Sequence, residues 1–173
     1  MSENGTDDGD GQRGDLSRED AHPRARAALT DAFFWDASDP SGPFGDETGL
    51  DVLEALRDLR VEDPRGSPLV MLSGLLARWE IADEGWDVVE AGEVQALGEA
   101  DELGLVTRDQ AIVALAFAQI IVDGKVDAEV RRRAILALAR QGLPALLAAF
   151  GLRARRREAY VTRMREVLAQ RWD

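Results

Sequence analysis

Residues 111–122 read AIVALAFAQIIV, and a helix built from them has no polar face except at one glutamine. A helix that is apolar nearly all round must be enclosed by other elements. The run falls short of the roughly 18 consecutive apolar residues that mark a bilayer span, so the expected enclosure is protein and no segment is expected to cross a membrane. Thr107 and Gln110 stand just ahead in the spacing T-x-x-Q, which reads as a capping box. Asp123-Gly124 follows, where glycine can take the left-handed conformation that ends helices. This one feature predicts an all-α fold built round a central helix.

The rest of the chain supplies partners for it. Pro23 fits a first helical position, with Ala25, Ala28, Leu29 and Ala32 behind it. Thr48 to Arg60 repeats Leu50, Leu53, Leu56 and Leu59 three apart, with Val52 alongside. Ser67 caps and Pro68 opens a helix whose stripe is Leu69, Leu72, Leu75, Leu76 and Trp79. Residues 82–102 mix two periods and predict a loop, then a broken or short helix. Asp127 reads as the cap of a helix that Gly142 ends, LPALLAAF as a short helix ended by Gly151, and about Arg153 to Trp172 as the last, with Val161, Met164, Leu168 and Trp172 on one side. No strand is expected. Residues 1–16 hold five acids, four glycines and almost nothing to bury, which predicts a disordered acidic tail. The organisation expected is that tail followed by a single globular domain of six to eight helices over 17–173.

Charge narrows the function classes. The formal charge of the 173-residue chain is −12, which disfavours nucleic acid as a partner of the whole molecule. The balance is uneven. From Arg131 onward there are eleven arginines against three acids, a net of +8, so the remainder carries −20. Internal docking between the two ends is the favoured reading over docking to a partner. A further expectation is that the acidic tail covers the basic C-terminal helix. The chain has no cysteine, which excludes disulfides, thiolate metal sites and cysteine nucleophiles and is compatible with the cytoplasm, the expected location.

AHPRARAALTDAFFWD, GPFGDETGLDVLEALRDLR and IIVDGKVDAEVRRRAILALARQ resemble the YfeS-like family of uncharacterised bacterial proteins, whose domain is sometimes found alongside WGR domains. The resemblance covers about residues 18–170, and the FFWD and PFG-D-G-D blocks are its most specific part. It aligns Phe33, Phe34, Trp35, Asp36, Pro43, Phe44, Gly45, Asp46, Gly49 and Asp51 with the family pattern. Trp79 is followed by Glu80 and Ile81, so the WGR sequence is not present and no role linked to it carries over. The family implies one domain and no established reaction.

Several constellations could carry chemistry. Asp46, Glu47 and Asp51 could hold a hard divalent cation through carboxylate oxygens, and Glu47 and Asp51 would share a helix face. Their spacing fits no calcium loop, and capping of the Thr48 helix accounts for Asp46 and Glu47, so a structural role is favoured. Phe44, set among turn residues, reads as exposed. Gly45 and Gly49 serve the turn, since a loop with no lysine and many acids would repel an anion. Asp123, Asp127 and Glu129 could gather a cation, but a helix end followed by a cap explains them. His22 has no nucleophile or orienting carboxylate in view, and no G-x-S-x-G is present. Arg131, Arg132, Arg133, Arg153, Arg155, Arg156 and Arg157 could form a basic face for nucleic acid; a solvated or internally paired helix face is favoured. No cofactor is expected, and a divalent cation is the one candidate. The leading function is a non-enzymatic protein–protein interaction module, such as a regulator, an adaptor or an immunity-type protein. The alternatives are a metal-dependent or carboxylate-based enzyme or ligand-binding domain at PFGDETGLD, and nucleic-acid binding through the C-terminal arginines. The sequence leaves the oligomeric state open.

Overall fold

Each early helix opens where local chemistry predicts it. The computed structural model describes residues 16–173. Helix α1 (Pro23–Ala28) starts at Pro23, with the His22 ring nitrogen Nδ1 accepting from the Arg24 N–H. Helix α2 (Glu47–Glu62) is capped by Asp46, whose carboxylate accepts from Gly49 N–H at 2.7 Å. Helix α3 (Pro68–Arg78) is capped by Ser67 at 3.3 Å from Val70 N. Helices α4 (Ala91–Asp123), α5 (Ala128–Gln141), α6 (Pro144–Ala148) and α7 (Ala154–Leu168) follow, with 3₁₀ turns at Ala32–Trp35 and Gly151–Arg153. Among the described residues there are seven α-helices and no strand, as the all-α reading expects.

Helix α4 is the axis of the fold. Residues 111–121 are all buried, with α1, α2, α3 and α5 packed round them. By length and composition α4 would pass as a membrane-crossing helix, which the segment-by-segment reading of the sequence did not anticipate. Of its most apolar window, 78% is buried within the protein.

The start of α4 corrects one expectation. Thr107 and Gln110 are not a capping box, for the helix is already under way there. Backbone angles depart from helical at Asp101 (φ −158°, ψ 86°), and its carboxylate accepts from Gly104 N–H at 2.9 Å. Asp101 therefore caps the long inner part of α4, and residues 91–100 form a separate piece before the break. A D-x-x-G cap further upstream displaces the T-x-x-Q signal because buried Gly104 and Leu105 extend the packed face beyond it.

The far end behaves as predicted. Gly124 is left-handed (φ 67°), and a Cβ there would lie 2.2 Å from the His22 ring. Gly124→Ala is therefore expected to lower stability by at least about 1–2 kcal/mol, the cost of the left-handed conformation alone, as read by thermal unfolding. Asp127 occupies the cap position of α5 without making a side-chain cap bond; its N–H donates instead to the side-chain amide oxygen of Gln119 at 3.2 Å. Helix α7 ends before Trp172, which is nonetheless buried, its Nε1 donating to Val167 O at 2.9 Å.

The uneven charge is joined inside the domain. Arg163 on α7 lies 3.0 Å from Asp31, and the Tyr160 hydroxyl donates to Asp39 at 3.0 Å. Arg24 donates to the carbonyls of Arg171 and Asp173. Arg132 with Asp87 and Arg140 with Asp109 also cross the divide, while Arg60 on α2 grips Asp123 within the acidic part with two bonds of 2.8 Å. The acidic-tail expectations for 1–16 lie outside the described residues, apart from Leu16, which packs on the core.

Candidate functional site: the PFGD loop, Arg157 and an apolar groove

The loop between Trp35 and α2 is built from side chains that bond their own backbone. Asp36 accepts from Ser38 N–H at 2.8 Å and from its hydroxyl at 2.6 Å, which holds its carboxyl below its usual range. Asp39 accepts from Ser41 N–H at 3.0 Å. These are Asx turns. Two glycines are required by close approach. A Cβ at Gly45 would lie 1.6 Å from Asp39 O, and one at Gly49 would lie 2.2 Å from Pro43 O.

The family-motif residues are thereby placed. Phe33, Phe34 and Phe44 are buried in the core; Phe33 stacks on Tyr160 at 3.9 Å between centroids, and half-buried Trp35 donates to Leu29 O at 2.8 Å. The expectation that Phe44 is exposed is corrected: its exposure is 0%. The turn residues round it fold the loop back over the core, so a single large ring among them is its anchor. Asp46 is the α2 cap. Burial pushes its carboxyl up from the usual value, against the Gly49 bond and the Arg157 charge. Glu47 and Asp51 are exposed on the first turns of α2. Among the described residues no three His, Asp or Glu side chains gather as a metal site. This includes Asp123, taken by Arg60, and Glu129, taken by Arg132 and Arg133.

The arginines differ in their partners and exposure. Arg131 donates to Leu168 O at 2.6 Å and so covers the carboxyl end of α7. Arg132 pairs with Glu129 and Asp87, and Arg133 with Glu129. Arg153 and Arg155 are exposed, and Arg156 lies 3.9 Å from Asp39. The Glu129 carboxyl is lowered to about 2 from its ordinary 4.5 by its bonds to Arg132 and Arg133. A depressed folded pKa gives stability that is present above the ordinary value and lost as pH falls through the folded one. Glu129→Gln is therefore expected to flatten the decline in stability between pH 4.5 and about 2, more so at low salt, as seen in urea midpoints across that range.

Arg157 is the exception, at 4% exposure. It donates to the carbonyl of Ser41, within the PFGD loop, and to the Gln141 amide oxygen. Its Nε is buried with no partner. Burial pulls the guanidinium down to about 10, opposed by the charges of Asp46 and Asp39, so it stays charged at neutral pH.

This arginine lines a cavity of about 540 Å³ between α4 and the segment 141–150, with Leu105, Val106, Leu146, Phe150 and Gln110. A second cavity of about 510 Å³ lies along residues 91–102 and 143–146. The two share Glu102 and Leu146 as lining residues and so adjoin; together they are termed the groove. Leu103 sits on its rim, 77% exposed.

Beneath the groove is a buried ion pair that the sequence reading missed. Arg140, 0% exposed, holds Asp109 with bonds of 2.8 and 2.9 Å and donates to the carbonyls of Trp86 and Val88. Arg108 lies 3.4 Å from the same carboxylate and, with Arg133, over the Trp86 ring. A signal for Arg157 was available. The stripe Val161, Met164, Leu168 extended back one turn lands on residue 157.

No family model matches the chain, and no solved structure matches it. It is similar to the "Uncharacterized protein YfeS" of Escherichia coli strain K12, with 28% identity over 135 residues, covering 76% of this chain and 54% of that protein. The chain thus spans about half the length of the curated relative it matches. That similarity supports the resemblance to the YfeS-like family, and among the described residues the protein is all-helical.

Proposed function

We propose that the domain is a non-enzymatic interaction module that docks an apolar segment of a protein partner in the groove between α4 and residues 141–150. The observation that carries this reading is that the two cavities adjoin at Glu102 and Leu146. Together they run along both pieces of α4, from Ala91 to Glu99 before the break at Asp101 and from Glu102 to Gln110 after it, each roughly 12 Å at 1.5 Å per residue. That suits a peptide segment better than one small molecule. The walls are mainly apolar, with amides and the acids Glu99, Glu102 and Asp109 among them, the mixture of contact area and sparse polar groups that gives an interface its register. Of the titratable groups nearby, Asp109 is held by Arg140 and Asp46 by the α2 cap.

The test is affinity capture from the host with and without nuclease, using two single variants. Leu103→Asp puts a charge on the groove rim, and Val61→Asp puts one on α2 at a residue that is 85% exposed and lines no part of the groove. A partner recovered equally under both nuclease conditions should fall at least tenfold with Leu103→Asp and stay with Val61→Asp. Full recovery with Leu103→Asp would reject the groove as the docking site.

A further inference from the structure

We infer that Arg157 is a carboxylate anchor, and that the segment docked in the groove ends there in its own C-terminal carboxylate. The inference rests on the groove reading and adds the chemistry of what is recognised. A guanidinium carries five donors and suits a carboxylate in a two-bond geometry. Here it is buried, yet its hydrogen bonds go only to neutral oxygens, Ser41 O and the Gln141 amide, and its Nε has none. The two acids that act on it through space are engaged elsewhere. Asp46 holds Gly49 N–H, and Asp39 holds Ser41 N–H and the Tyr160 hydroxyl. Arg140, by contrast, has a carboxylate on two bonds. Buried cations ordinarily have such a partner, and Arg157 has an adjoining cavity where one would sit.

The walls of that cavity say what carries the carboxylate. Leu105, Val106, Leu146 and Phe150 line it, so the group attached to the acid is apolar. Gln110 and Gln141 line it too. Their amides can pair with peptide N–H and C=O groups, whereas a lipid tail offers them nothing. Two acids also face the space. Asp109 is neutralised by Arg140 and Arg108. Glu102 is exposed where the two cavities join and disfavours a second carboxylate there. The occupant therefore has one acid at one end.

The experiment uses the full chain and three probes at fixed salt. They are an acetylated pentapeptide of alternating leucine and alanine with a free C-terminal carboxylate, the same peptide as its C-terminal amide, and decanoate. Binding is followed by titration calorimetry. The acid peptide should bind at least tenfold more tightly than the amide. Arg157→Met should bring the acid down to the amide's level and leave the amide unchanged. Because that buried change can weaken folding, the acid-to-amide ratio on the wild-type chain is decisive by itself, and Leu103→Asp, on the surface, should weaken both peptides. Equal binding of acid and amide would overturn the carboxylate anchor and leave the groove reading standing. Decanoate binding with neither peptide would overturn the peptide terminus as occupant, and with it the protein-docking reading, while Arg157 kept its carboxylate. No binding of any probe would overturn both.

Discussion

Replacing Arg140 by methionine is expected to destabilise the protein by about 3–5 kcal/mol, a large share of a typical domain's stability. The cause is what remains behind. Asp109 is 1% exposed and takes two bonds from Arg140. Without them it keeps only the longer contact from Arg108. The carbonyls of Trp86 and Val88 lose their donor as well, so the loop before α4 loses its tie to α5. Removing both charges, as Asp109→Leu with Arg140→Met, is expected to cost less than Arg140→Met alone, because no unpaired charge is then buried. Urea unfolding of the two variants measures this through the midpoint at constant slope. A double variant less stable than Arg140→Met would show that the pair's bonds, and not the stranded charge, set the cost.

Phe34→Ala is expected to cost about 3–5 kcal/mol as well, by leaving a cavity in a core that cannot collapse to fill it. Phe34 is 0% exposed, lies 4.1 Å from Phe33 and 5.2 Å from Phe117 between ring centroids, and so ties the FFWD turn to the central helix. Phe117 sits within the buried stretch of α4, where the surrounding helices leave no free side to move inward. A loss below about 1 kcal/mol in the same unfolding assay would mean that the FFWD block is not a core anchor.

The helices were legible because their ends carry local chemistry. Asp46, Ser67 and Gly124 each act within four residues of themselves, and the sequence shows that span directly. The α2 and α3 stripes were legible for the same reason, since period alone places Leu53, Leu56, Leu72 and Leu76 inward. Phe44 was not, because the turn residues round it carry no period and its burial depends on how the loop folds back. The T-x-x-Q box failed through competition: two caps lay on one helix, and packing of Leu105 chose the earlier one. The groove was least legible of all. Its walls come from α4, from α5's end, from α6 and from α7, and no single segment shows a cavity that four elements enclose. The sequence reading grouped Arg157 with its neighbours in a candidate basic face, whereas the Val161 stripe, continued one turn back, shows it facing inward.

A recognition groove anchored at Arg157 is tested most directly by a crystal structure of the full chain with the acid peptide bound. The peptide is expected to lie against Leu103, Leu146 and Phe150, with its terminal carboxylate within hydrogen-bond distance of the Arg157 guanidinium. A peptide seated on another face, or one lying in the groove with its carboxylate pointed to solvent, would contradict it.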